Sequence, residues 1–338
     1  MRFLPTDEQS DFARTLRSLL GAAGVPAAVR AWADGEHGPG RAVWGRLADA
    51  GLFALAAPEA YDGAGLLPLE LSLGFVELGR AGVPGPLVES AAASVLLCEL
   101  GDEGLAKRFL PGLVAGATSA TLTLPGGSPY ALDADAATYC FTVSAEGELR
   151  LAGAAGAAGP PLVSTDPARR LSVPEAAGAE LLATGPAVVR AAEAAGRWAR
   201  LLTAAQCLGV GEALLARTVE YAKQRTQFGA PIGAFQAVKH RLADTLLGLE
   251  FARPLVWAAA LSLSPGDVAA AKLRAGEAAY TAAMTALQVH GAVGYTQELD
   301  LSLWLLKARP LRDAWGTPSA CRAEALRSCE VRVTPGRR

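Results

Sequence analysis

Residues 221–244 read YAKQRTQFGAPIGAFQAVKHRLAD. The stretch RTQFGAPIG (225–233) places two glycines and a proline close together, and no helix runs easily through it. Beyond it, Phe235, Val238, Leu242, Leu246 and Leu249 recur in steps of three and four. That is the period of a helix with one apolar face. Before it, Leu201, Ala205, Leu208, Leu215 and Val219 support another long helix. Residues 225–233 therefore form a loop between two long helices. A third helix runs from about Asp267 to His290 and ends in the glycine turn HGAVGY (290–295). Pro254 is expected to kink or shorten the second helix, because proline removes a backbone donor and crowds the preceding turn.

Upstream, the chain is helical again. Thr6-Asp7-Glu8-Gln9 offers an N-cap and first-turn acids, and Phe12, Leu16, Leu19 and Leu20 follow at helical spacing. Val43, Trp44, Leu47 and Ala50 mark a further helix that Gly51 can end. APEAYDGAGL (57–66) is rich in turn formers. Pro68 to Arg80 reads as helix, and 88–116 holds one or two more, with LPG (110–112) as a break. The character changes near residue 117. SATLTL (119–124) and TYCFTV (138–143) suit strands, Gly126-Gly127, Gly147 and Pro160-Pro161 suit turns, and LAGAAGAAGPP (151–161) is a low-complexity loop. The expected fold is mainly α with a small β insert: helices over 1–116, a short β-domain over 117–186, and a helical bundle over 187–338.

Composition narrows the function classes. Lys plus Arg number 31 and Asp plus Glu 33, and no like-charge run stands out. Nucleic acid and anionic membrane surfaces are thus poor partners. No run approaches about 18 apolar residues, so no membrane span is expected, and the first residues lack the apolar core of a signal peptide. Cys98, Cys140, Cys207, Cys321 and Cys329 are scattered and odd in number, which argues against structural disulfides and a zinc site. A reducing cytoplasm fits.

Two motifs carry a resemblance. YAKQRTQFGAPIGAFQAVKHRLAD (221–244), followed by LQVHGAVGYTQELDL (287–301), resembles the C-terminal domain of acyl-CoA dehydrogenases. WGRLADAGLFALAAPEAYDGAG (44–65), VELGRAG (76–82) and FLPGLVAG (109–116) resemble that family's opening helical domain in kind and order. The resemblance implies an N-terminal helical domain, a middle β-domain that is shortened here, and a C-terminal four-helix bundle. It also implies FAD. A dinucleotide pyrophosphate needs cations or oriented donors. By resemblance Arg225 grips it, Gln227 adds a donor and Phe228 packs near the adenosine. Phe235 and Gln236 continue that surface. Gln288, Gly291 and the GAVG backbone approach the adenine-diphosphate part of a flavin held by a neighbouring subunit. Ala292 stands where the family commonly has a second glycine.

The family's base is missing. Its reaction removes an α-proton from an acyl thioester, which needs a carboxylate within hydrogen-bond reach. Many members carry a Glu just before a Gly-Thr; RDAWGTPSA (312–320) puts Trp315 there. Others place the Glu on the long helix, where this chain has Ala199. Asp313 and Glu324 do not fit the position. Glu212 is a fallback whose plainer reading is an exposed helix residue. Glu298 and Asp300 look structural. The resemblance therefore implies a subunit of a heteromeric, steroid-side-chain type acyl-CoA dehydrogenase that shares FAD and relies on a homologous catalytic partner. An acyl-CoA or acyl-carrier thioester is the substrate, and an electron-transfer flavoprotein is a possible acceptor. A self-contained homo-oligomeric enzyme with altered chemistry, and a non-enzymatic scaffold, remain open alternatives.

Overall fold

The computed structural model describes residues 4–152, 161–175, 178–296 and 298–333. Most of the low-complexity loop expected at 151–161 lies outside the described residues. Eleven helices are seen among the described ones. Six precede the sheet: α1 (Asp7–Gly21), α2 (Val25–Ala33), α3 (Gly38–Asp49), α4 (Pro68–Ala81), α5 (Leu87–Leu100) and α6 (Glu103–Val114). Thr6 caps α1 as its sequence suggests. Its hydroxyl accepts from the Gln9 amide, and the Gln9 side chain accepts from the Thr6 amide. The five helices after the sheet are α7 (Pro186–Gln224), α8 (Gln236–Ser262), α9 (Pro265–His290), α10 (Leu301–Asp313) and α11 (Pro318–Val333). Helices α7 to α10 form a four-helix bundle, and α11 lies along α9.

Between the helical layers sits a sheet of four strands: β1 (Ala120–Thr123), β2 (Tyr139–Val143), β3 (Glu148–Ala152) and β4 (Glu180–Thr184), in that order. β1 and β2 are parallel; β2–β3 and β3–β4 are antiparallel. The Ser90 hydroxyl bridges the Ala120 carbonyl and amide at 2.8 Å each, fastening β1 to α5. Residues 124–127 thereby leave the sheet over the first turns of α7.

Two prolines do not end their helices. α6 continues through Pro111 and α8 through Pro254. Each proline costs its helix roughly 3 kcal/mol. The buried neighbours Phe109, Leu110 and Leu113 in α6, and Val256, Trp257 and Ala260 in α8, hold the helices in place. Tertiary burial outweighs local propensity here.

The long helix α7 is the spine of the molecule. Among the described helices only α7 is long and apolar enough to cross a membrane, yet 83% of its most apolar window is buried inside the protein. It packs on α4, α5, α8, α9 and α10. Its contact with α4 is backbone on backbone. A Cβ on Gly209 would stand 1.9 Å from the Val76 carbonyl oxygen, and one on Gly79 would stand 2.1 Å from that of Gln206. Only glycine allows this approach.

Glu212, one turn on, is not the exposed residue its position suggested. It faces both α4 and α8, where Arg80 donates a hydrogen bond to one oxygen and Arg253 forms an ion pair with the other at 2.9 Å. Arg80 also reaches Glu77 at 3.1 Å, and Arg17 reaches Glu77 at 2.7 Å. Burial raises the Glu212 carboxyl, and the two arginines oppose that rise. Gly209→Ala is expected to destabilise the fold by about 3 kcal/mol. Gly45→Ala in α3, where a Cβ meets nothing within 4 Å, should gain about 0.5–1 kcal/mol. Thermal unfolding of both variants checks the pair, and similar melting temperatures would contradict the close approach.

Candidate functional site

One candidate surface lies at the end of the bundle where α7 and α9 stop. Arg225 leaves α7 in an extended conformation. Thr226–Gln227 then pair with Ala230–Pro231 in a small hairpin. Its two turn residues, Phe228 and Gly229, have φ of 55° and 81°. That is the twist a two-residue hairpin turn needs, and a phenylalanine rarely adopts it. The turn presents the Phe228 ring 95% exposed, edge-on to Phe235 at 6.3 Å. Phe228 and Phe235 are therefore surface residues, not core. Gln236 opens α8, and Gln288 lies in the last turn of α9, before Gly291 and Ala292. The Tyr221 and His290 rings stack with centroids 4.1 Å apart and tie the two helix ends together. All eight expected cofactor residues thus share one end of the bundle.

Their chemistry is unsatisfied within the chain. Arg225, Gln227, Gln236, Gln288 and Ala292 are exposed. Arg225 makes no ion pair among the described residues, and the Gln227 amide donates only to the adjacent Thr226 carbonyl, at 2.8 Å. An unpaired guanidinium beside free amides and bare aromatic rings fits a dinucleotide held from outside the chain. His290 has a packing role: it is buried, and its Nδ1 lies 2.8 Å from the Ala286 carbonyl oxygen.

A second feature lies near the other end of α7. A cavity of about 500 Å³ opens between residues 124–127, Ser144, the first turns of α7 and Trp315. Trp315 sits on a left-handed turn with φ 56°. Three bonds hold that turn from below. Arg200 Nε donates to the Trp315 carbonyl at 3.0 Å, and Lys272 Nζ donates to the carbonyls of Arg312 at 2.9 Å and Gly316 at 3.3 Å. The indole Nε1–H then donates to Glu89 Oε1 at 2.9 Å.

Glu89 is 4% exposed, and its second oxygen is buried without a partner. Burial pushes its carboxyl up, against the pull of Arg169. Glu89, Asp133 and Lys307 line a much smaller, separate void. Lys307 is ion-paired with buried Asp166 at 3.0 Å.

The other carboxylates weighed from sequence are engaged elsewhere or lie away from the turn. Asp313 faces Arg309 at 3.9 Å, Asp300 pairs with Arg30 at 2.6 Å, and Glu298 is exposed. Glu324 lines the cavity but pairs with Arg327 at 2.6 Å. Ala199 is wholly buried in the core. All five cysteines are free, and the described residues hold no cluster fit for a metal. Glu89, Arg200 and Lys272 were not anticipated. A lone acid in PLVESAAASVLL (86–97) and a lysine in the alanine-rich VAAAKL (268–273) were the available signals, since such residues are rarely buried without a purpose.

The two features lie far apart. Arg200 and Arg225 are 25 residues apart along α7, or ~37 Å at 1.5 Å per residue. One dinucleotide cannot touch both within one chain.

Comparison with known proteins fits this geometry. Residues 6–117 match the acyl-CoA dehydrogenase N-terminal domain and residues 189–326 its C-terminal domain. The chain is 33% identical over 330 residues, 97% of itself and 98% of the relative, to acyl-CoA dehydrogenase IpdE2 of Mycobacterium tuberculosis. The chain belongs to the acyl-CoA dehydrogenase family. Among solved structures, this acyl-CoA dehydrogenase relative superposes on a chain of the ChsE4-ChsE5 complex from M. tuberculosis with a TM-score of 0.80 and 25% identity, covering 99% and 100% of the two chains. It shares its fold with PigA, solved with FAD and proline, at a TM-score of 0.84 and 22% identity over 98% and 100%.

Asp133 yields a pH prediction. Burial raises its carboxyl from the usual range to about 7, against bonds from the Trp32 indole and the Arg170 amide. The folded state therefore holds a proton that the unfolded state releases, so stability falls as pH rises from about 4 to about 7. Asp133→Asn keeps an acceptor for the indole and should remove that loss. Its melting temperature should exceed that of the wild type by several degrees at about pH 8, with the gap narrowing as pH falls and closing near about pH 4. Parallel profiles would contradict the shift.

Proposed function

We propose that the chain is one subunit of a flavin-dependent acyl-CoA dehydrogenase, sharing FAD with a homologous partner and taking its catalytic base from that partner. Trp315 carries this reading. It occupies the turn that faces the cavity, and an indole N–H donates a hydrogen bond but cannot receive the α-proton. Glu89 lies behind the ring instead of in the cavity lining.

Bound FAD supplies the acceptor for the β-hydrogen of an acyl thioester. Within this chain, Arg225 and Gln227 would hold the pyrophosphate and Phe228 would cover the adenosine. Phe235, Gln236, Gln288 and the Gly291-Ala292 backbone would complete the surface. The ~37 Å between Arg225 and the cavity supports a flavin whose ring lies in the neighbouring subunit. The similarity to a chain of the ChsE4-ChsE5 complex and the steroid acyl-CoA dehydrogenase among the fold neighbours support a two-chain assembly. A carboxylate in the partner's cavity would take the α-proton, and electrons would leave to an electron-transfer flavoprotein.

The test is co-expression with a homologous full-length acyl-CoA dehydrogenase from the same genome, scored by flavin absorbance per protein and by enoyl-CoA formation. The complex should hold FAD and desaturate its substrate, the chain alone should not desaturate, and Arg225→Ala should cut flavin content about tenfold, the value of one charge-assisted contact. Stoichiometric FAD with desaturation by the chain alone would overturn the reading.

A further inference from the structure

Two acids far apart in sequence meet at the small void. Glu89 on α5 is 4% exposed and Asp133, after β1, is 0% exposed. An indole holds one oxygen of each. Trp315 Nε1 donates to Glu89 Oε1 at 2.9 Å, and Trp32 Nε1 donates to Asp133 Oδ1 at 3.1 Å. The other oxygens, Glu89 Oε2 and Asp133 Oδ2, are buried without partners. Both residues line one void of about 10 Å³, room for a single water. A buried carboxylate oxygen left unbonded is costly, and here two share one small space.

The surrounding charges do not balance. Arg169 and Lys307 line the void as well. Lys307 is already paired with buried Asp166 at 3.0 Å. Beyond Asp133, Arg170 pairs with Asp135 at 2.8 Å, and His37 faces Asp135 at 3.6 Å. Burial lowers the His37 pKa, which leaves that ring neutral at pH 7. Glu89, Asp133 and Asp166 therefore face only Arg169 and Lys307. One proton neutralises the set. Burial raises both void-lining carboxyls, and the Glu89 charge raises Asp133 further.

We propose that the void holds one water bridging Glu89 Oε2 and Asp133 Oδ2, and that the two carboxyls share a single proton through it. The protonated carboxyl donates to the water, and the water donates to the ionised one. In the exchange, the carboxyl O–H bond breaks as a new O–H bond forms on the water. The water passes one of its own hydrogens to the other carboxylate, so atoms and charge are conserved. A hydrogen-bonded chain then runs from Trp32 on α2, through Asp133, the water and Glu89, to Trp315 in the turn after α10. Ionisation at either acid is felt at both indoles.

The experiment is a pH titration of the indole N–H resonances of the full chain by nitrogen-15 NMR, from about pH 5 to about pH 9. Trp32→Phe and Trp315→Phe assign the two signals, and His37→Gln removes the ring that stands edge-on to Trp32 at 4.6 Å. In the wild type the Trp32 and Trp315 signals should move with the same midpoints, because coupled acids titrate as a pair. Asp133→Asn should lower the Trp315 midpoint by about one pH unit, since a like charge is removed. Glu89→Gln should do the same to Trp32, and gives the same reading from the other side where the first variant fails to fold. A high-resolution crystal structure should show one water within hydrogen-bond distance of both free oxygens. Different midpoints in the wild type, or a Trp315 signal indifferent to Asp133→Asn, would make the acids independent and overturn the shared proton. Two signals that do not titrate would overturn it too, and an empty void would remove the bridge.

Discussion

The structure depends on the place where α4 and α7 touch through bare backbone at Gly79 and Gly209. A single methyl on either would push two helices apart. The contact fixes the depth at which α7 runs beneath the N-terminal helices. It also sets Arg80 against Glu212 and brings α8 into the same charged cluster through Arg253. With α7 seated, its two ends acquire different duties. The first turns form the wall of the cavity, and the last turn delivers Arg225 to an exposed hairpin. A rigid helix of 39 residues therefore separates the parts of the site that would meet in an assembly.

The turn at Trp315 is held from two sides. Lys272 and Arg200 still grip the turn by its carbonyls, and the backbone still takes a left-handed conformation that a tryptophan rarely accepts. What the turn presents is an indole, locked by Glu89. The bond gives the buried carboxylate one partner, which offsets part of its desolvation. It also turns the one fully buried acid near the turn away from the cavity. On the proposed reading, a donor would stand where proton removal needs an acceptor.

Much of this was legible in the sequence. Helices with one apolar face were visible through their period, as in Phe235 to Leu249. The loop at 225–233 was visible through its glycines and proline. The pairing of that loop with the turn at 290–295 carried the family. The break expected at 110–112 was misread because the packing that carries α6 through Pro111 comes from distant residues. Glu212 was misread for the same reason: its arginines lie on α4 and α8. Phe228 is exposed because a left-handed turn lifts it out, and Phe235 precedes α8 in an extended conformation. Glu89 escaped notice because its partner is 226 residues away, and no local pattern joins them.

The central claim is that the proton-accepting carboxylate belongs to the partner. Exchange of the substrate's α-protons with heavy water, followed by proton NMR in the complex, reports the base directly and without hydride transfer. With the partner's catalytic Glu changed to Gln, the account predicts that exchange stops although FAD and acyl-CoA remain bound. Exchange continuing at the wild-type rate in that variant would contradict it, and would place a working base in this chain.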